Sequence, residues 1–215
     1  MNYTISLETS MKEFIEKIEK WDFKVFLELY ESDFSKRSLT FAKIYSFFGN
    51  IYFWLGVWLV MIIGSFISKD YYLLFLFTGG FFQTMSIYLI IRYGIISRNR
   101  PYITLKERGV KGHDEYIKEH KSFPSGHVTF FIFFGCIFSF HFNDYFWLIF
   151  LTFLGLDIIM ALTRLILGVH FPTDVIFGLV FGLLFAALYL GLTYPFWVDF
   201  YFWLGRIVKL IFPFL

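Results

Sequence analysis

Uncharged apolar runs alternate with short polar breaks along most of this chain. Ile44 to Ser68 and Tyr71 to Ile91 carry no charge, Ser122 to Asn143 carries two histidines and no formal charge, Tyr145 to Thr163 carries one acid, Asp157, and Val175 to Val198 is again uncharged. About 20 mostly apolar residues are needed for a helix to cross a bilayer. In hydrocarbon each backbone amide must be paired inside its own segment, so runs of this kind are helical. The pattern therefore predicts five spans. A sixth run, Phe196 to Leu215, is interrupted by Asp199, Arg206 and Lys209. It reads as a helix lying on the membrane surface, with a short sixth span as the alternative.

The opening residues follow another pattern. Phe14, Ile15, Ile18, Trp21 and Val25 recur at helical spacing among Lys12, Glu13, Glu16, Lys17, Glu19, Lys20, Asp22 and Lys24. That spacing predicts an amphipathic helix on the interface with Trp21 as an anchor and the charges on its wet side. The expected division is residues 1–40 as this helix, 41–198 as the transmembrane core, and 199–215 as a C-terminal amphipathic or short membrane helix. The start lacks a basic stretch followed by an apolar core, so no signal peptide is expected. Composition agrees: 58% hydrophobic and 17% charged residues exclude an ordinary soluble domain. A single cysteine, Cys136, excludes an internal disulfide framework, and a net charge of +2 gives no footing for nucleic acid. The fold class is all-α, an integral membrane helical bundle.

Alternating spans put two loops on one membrane face: Ser97 to Lys121, with the start of the next span, and Arg164 to Asp174. That face gathers Arg98, Arg100, Ser125, Gly126, His127, Arg164, His170 and Asp174. Arginine holds phosphate in bidentate fashion and stays charged at any working pH. Ser125 and Gly126 fall where a span begins, and free amides at a helix start favour an anion. Pro172 suits a first helical turn, which puts His170 just ahead of the last span and Asp174 one turn inside it. A carboxylate there can hold one imidazole nitrogen and leave the other free to attack, and His127 can supply a proton to a leaving oxygen. Plainer uses stay open. Asp174 and Ser125 suit helix caps, basic residues at span ends anchor headgroups, and Asp157 suits a structural role.

These motifs resemble the type 2 phosphatidic acid phosphatase superfamily, which shares its core with the vanadium haloperoxidases. That pattern is a basic residue and six others before Arg-Pro, then Pro-Ser-Gly-His, then Ser-Arg, five residues, His, three residues, Asp. Here Arg100-Pro101 ends the first part, Pro124-Ser125-Gly126-His127 is the second, and Thr163-Arg164, His170 and Asp174 form the third, with Thr in place of Ser. The matched stretch covers about residues 92 to 178. One position departs: Tyr93 stands where the first basic residue is due, with Arg92 beside it. Three readings follow. Arg92 reaches the phosphate from its shifted start, Arg98 substitutes, or the site has one phosphate ligand fewer.

The resemblance implies a membrane lipid phosphatase. His170 would be the nucleophile, oriented by Asp174, with His127 as proton donor. Arg100, Arg164, Ser125 and Gly126 would bind phosphate, with Arg92 and Arg98 as further candidates. It implies no metal and no cofactor. Substrates would be a phosphatidate, a phosphatidylglycerol phosphate, a polyprenyl diphosphate or a lipid A type lipid, met at headgroup depth. A phosphotransferase using the same phosphohistidine, or a degenerate lipid-binding protein, are the alternative functions. All but three of the 19 Lys and Arg (Lys69, Arg206 and Lys209) share the motif face, which by the positive-inside rule would be cytoplasmic. The resemblance implies the opposite, an active site on the extracytoplasmic face of the cell (inner) membrane, and that is the expectation adopted.

Overall fold

The computed structural model describes residues 2–114 and 119–211, with side chains from residue 11 onward except 208, 209 and 211. Residues 212–215, the end of the expected C-terminal segment, and 115–118 of the long loop lie outside the described residues. The elements in chain order are α1 (Asn2–Tyr30), α2 (Asp33–Ser46), α3 (Ile51–Ser68), α4 (Tyr72–Ile90), the one-turn α5 (Pro101–Thr104), α6 (Gly126–His141), α7 (Phe146–Ile166), α8 (Pro172–Leu188) and α9 (Tyr194–Ile211). No strand occurs among the described residues, only an isolated bridge between Asn99 and Lys121.

Local chemistry sets the breaks. Ser32 caps α2 through its hydroxyl, which accepts the Ser35 amide at 3.1 Å. Asn50 caps α3 in the same way at Tyr52. The apolar run from Ile44 divides here: its first residues finish α2 and a short 3₁₀ turn, and the span proper is Ile51–Ser68. The turn after α7 needs Gly168, whose φ is +71° and whose missing Cβ would meet the Lys111 carbonyl oxygen at 2.4 Å.

Among the described residues, four helical segments are long and apolar enough to cross a membrane: Ile51–Ser68, Tyr72–Ile95, Asn143–Ile166 and Pro172–Ile207. The remaining expected span, the third in chain order, is α6, which has 16 residues, about 24 Å of helix. That is shorter than the hydrocarbon core, and α6 need not match it because it is the centre of the bundle. Phe130 to Ile137 are buried without a break, as befits a helix apolar on every side. Trp54, Phe77 and Phe134 stack at its middle, with the Phe77 and Phe134 centroids 4.2 Å apart. Outward-facing residues such as Ile67, Trp147 and Leu192 are at least 70% exposed, a surface suited to lipid and not to water. The protein is an integral membrane bundle.

Helices α6 and α8 touch backbone to backbone. A Cβ on Gly182 would meet Ile132 Cγ2 at 2.3 Å and the Thr129 carbonyl oxygen at 2.6 Å, and one on Gly178 would meet the Ser125 carbonyl oxygen at 2.9 Å. Two glycines one turn apart are the small-residue packing of membrane helices.

The C-terminal segment differs from the expected surface helix or separate sixth span. No break divides it from the fifth span: α8 passes through a π-turn at Tyr189–Thr193 directly into α9. Trp197 donates to Gln83 of α4 at 2.8 Å, and Tyr201 stacks on Phe75 near the start of α4. A stretch of 36 residues, Pro172–Ile207, extends about 54 Å, well beyond a core of about 30 Å. Asp199 and Arg206 are therefore tolerated in a continuing helix, because its far end passes the membrane boundary.

Candidate active site

The N-termini of α6 and α8 and the C-terminus of α7 converge on one end of the bundle. Asp174 fixes the start of α8, its Oδ2 accepting the Phe171 amide at 2.8 Å. The Ser125 amide then donates to the Asp174 carbonyl at 3.0 Å and ties α6 to α8. The long loop is fastened by Arg100 N–H to His120 O at 3.1 Å and Ser122 N–H to Arg98 O at 2.8 Å.

His170 sits at this junction, 1% exposed. Its Nε2 is 3.3 Å from Arg100 Nη1 and its Nδ1 is 3.6 Å from Asp174 Oδ2. A guanidinium can only donate, so Nε2 presents its lone pair and the ring proton belongs on Nδ1, toward Asp174. At 3.6 Å that contact is not yet a hydrogen bond, and catalytic contacts commonly tighten in the substrate complex. Burial, then the positive fields of Arg100, Arg164 and Arg92, push the proton affinity of His170 well below the usual imidazole range, with His127 adding to the same effect. The ring is thus neutral and able to attack.

The arginines are not equivalent. Arg100 Nε donates to Glu119 O at 2.7 Å and Nη1 to Val169 O at 3.0 Å. It makes no ion pair among the described residues. Burial and the neighbouring Arg92 and Arg164 bring its pKa down to about 10, still fully charged at neutral pH. Arg164, fully buried, pairs with Asp114 at 2.8 Å and donates to Ser46 Oγ, while its Nε has no hydrogen bond among the described residues. Ser125 Oγ and His127 Nε2 are likewise buried without a partner. Ser125 occupies the N-cap position of α6 but its hydroxyl makes no cap bond, so the plain cap reading leaves that group unexplained. Gly126 lies under the Tyr88 hydroxyl, which a Cβ would approach to 2.7 Å. Buried polar atoms are almost always satisfied; several unsatisfied ones beside one uncompensated guanidinium describe a cradle for an oxyanion.

Two expected phosphate ligands stand elsewhere. Arg92 is buried but fully engaged: Nε and Nη2 grip Glu119, Nη2 also reaches Lys121 O at 2.6 Å, and Nη1 reaches Tyr88 Oη at 2.7 Å and Pro124 O at 2.8 Å. It clamps the loop that carries Pro124 and Ser125. Tyr93 points outward, 55% exposed. A π-turn covers Ile91–Ile95 and takes up one extra residue, which is how seven residues rather than six fit between Arg92 and Arg100. Arg98 does not face the cradle either. Its Nη2 pairs with Asp22 Oδ2 at 2.6 Å, and its Nη1 donates to Thr173 Oγ1 at 2.6 Å and Asp174 Oδ1 at 3.3 Å.

Asp22, Ser46, Gly49, Asp114 and Glu119 were not singled out from the sequence as site residues, yet all touch this machinery. A Cβ on Gly49 would meet the His127 ring at 2.8 Å. Asp157 is buried with neither oxygen bonded among the described residues; the acid paired with Arg164 is Asp114. From His127 a cavity of about 350 Å³ runs down α6 to Phe134 between α3 and α4, its polar end lined by Tyr88 and Glu119 and its apolar end by Trp54, Phe81 and Phe130. A polar end beside His127 and an apolar channel behind suit an amphiphile.

Comparison with known proteins agrees with this fold. The PAP2 superfamily matches residues 71–197. Among solved structures, the first transmembrane PAP2 type phosphatidylglycerolphosphate phosphatase from Bacillus subtilis is similar at a TM-score of 0.58 and 20% identity, over 81% of this chain and 85% of that one. Aquifex aeolicus LpxE is similar at 0.52 and 18%, over 79% and 94%. No curated protein sequence matches significantly.

Proposed function

The chain belongs to the PAP2 superfamily, and from that premise we propose that it is a membrane phosphatase that removes phosphate from a lipid through a phosphohistidine on His170. One observation carries the assignment: the Nε2 of the buried His170 ring faces Arg100 at 3.3 Å, while its Nδ1 faces Asp174 at 3.6 Å.

In the proposed cycle the Nε2 lone pair attacks phosphorus in line. The N–P bond forms as the P–O bond to the lipid breaks, the electron pair leaves on the lipid oxygen, and His127, which takes up a proton when the anionic phosphate binds beside it, gives that proton to the oxygen. The Nδ1 proton stays on His170, and Asp174 balances the positive charge of the phosphorylated ring. Water then attacks phosphorus and gives a proton to His127, the N–P bond breaks, and its pair returns to Nε2. Arg100, Arg164, the Ser125 hydroxyl and the free amides at the start of α6 hold the equatorial oxygens; such placed charge supplies most of the barrier reduction in phosphoryl transfer.

The test is phosphate release by purified protein from phosphatidate, phosphatidylglycerol phosphate, polyprenyl diphosphate and lipid A. The Bacillus relative's description puts the second of these first in the panel. Turnover of at least one is expected, and none would overturn the reading.

The active face is proposed to lie outside the cell membrane. The surplus of cations on that face argues for the cytoplasm, but Arg92, Arg100 and Arg164 are buried in the site and are not available to hold a loop inside. A topology reporter fused after Leu215 should read cytoplasmic, and an external signal would reverse the assignment.

A further inference from the structure

The outer stripe of α1 is apolar: Met11, Phe14, Ile15 and Trp21 are all exposed. The same helix buries Asp22 completely on its other side. A buried carboxylate is costly unless paired, and Asp22 is paired with the catalytic end of the bundle. Its Oδ1 accepts the Thr173 amide at 2.9 Å, its Oδ2 accepts the Thr173 hydroxyl, and the same Oδ2 meets Arg98 Nη2 at 2.6 Å. The Arg98 guanidinium lies over the Phe171 ring, 4.1 Å from its centroid. Phe23 and Phe26 of α1 press on that ring at 5.1 and 5.5 Å. Arg98 Nη1 then reaches Asp174 Oδ1 at 3.3 Å, and the other Asp174 oxygen faces His170.

We propose that Asp22 is a positioning residue for the phosphoryl transfer, so that the interface helix forms part of the active site. The proposal rests on His170 as the nucleophile. Left alone beside Asp174, Arg98 would draw its carboxylate away from the imidazole and cancel the charge that steadies phosphohistidine. Asp22 holds the far side of the guanidinium and shares it, and Asp174 keeps negative charge toward Nδ1. Neither Asp22 nor Arg98 contacts His170 or the oxyanion cradle, so the effect falls on turnover and not on substrate binding.

The experiment is a double-mutant cycle on the full chain in vesicles, with a lipid phosphate that the wild type hydrolyses. Asp22→Asn should lower kcat by about tenfold with KM nearly unchanged, because an unshared Arg98 then neutralises Asp174. Arg98→Gln should also lower kcat, because it leaves two carboxylates adjacent. The pair of changes together should return kcat to within about threefold of wild type, since the charges balance again. An Asp22 that merely fastens α1 predicts no such recovery. Unchanged kcat in Asp22→Asn, or losses that multiply in the double variant, would overturn the proposal. If Asp22→Asn fails to fold, Arg98→Gln carries the test: a fall in kcat at constant KM supports it and an unchanged kcat defeats it. A wild type inactive on every lipid phosphate would remove the His170 reading and this inference together, whereas an active wild type with indifferent variants removes this inference alone.

Discussion

Replacing His170 by alanine should lower phosphate release by at least about a thousandfold, with the folded protein retained. The size follows from removing the attacking atom: no other described imidazole nitrogen contacts Arg100. Folding should tolerate the change, because Nδ1 makes no hydrogen bond among the described residues and the ring sits among positive charges that disfavour its protonation. Two readouts check it. The thermal midpoint should stay close to wild type. A lipid labelled on phosphorus should leave an acid-labile, base-stable label on the wild type during turnover and none on the variant. Wild-type-like release from His170→Ala would show that the nucleophile is another group.

Arg100→Ala should reduce kcat/KM by roughly 10²–10³, the usual cost of one oxyanion donor. Arg92 is spent on Glu119 and loop carbonyls, and Arg164 is paired with Asp114. Arg100 alone of the three has a charge unmatched by a carboxylate among the described residues. Stability should change little. Two carbonyls lose a donor, at about 1 kcal/mol each, but the depressed pKa means that the fold disfavours this charge, so its removal relieves repulsion in return. Arg100→Lys should recover only part of the rate, because an ammonium cannot span two phosphate oxygens. An unaltered kcat/KM in the alanine variant would take Arg100 out of the cradle.

The spans and the three motifs were legible because each is local in sequence. An uncharged run announces a helix in hydrocarbon, and Pro124 to His127 or Arg164 to Asp174 bring their chemistry within one or two turns. The partners were not legible, since they come from segments with no shared local pattern. Nothing about residues 12–24 distinguishes Asp22 from Glu19 until packing puts one against Thr173 and Arg98 and leaves the other in solvent. Ser46 and Asp114 meet Arg164 across long stretches of chain. The role of Arg92 was obscured for a different reason: a π-turn changes the residue count without changing the side of the helix that faces inward. Arg98 looked like a phosphate ligand because a lone sequence shows a cation and not the two acids that hold it. The last helix reads as a separate segment because charges usually end a span, and here the helix continues without a break through Asp199 and Arg206.

Gly178 and Gly182 set a tolerance for the chemistry as well as for the bundle. Ser125 and His127 ride on α6, while His170 and Asp174 lead into α8, and the two helices are seated by nothing thicker than hydrogen at those two positions. A single added methyl at Gly182 has no room, so α6 must slide or tilt to admit it, carrying the proton donor away from the nucleophile. The gauge between proton donor and nucleophile is thus machined along the α6–α8 seam, at residues that line up below the reacting atoms.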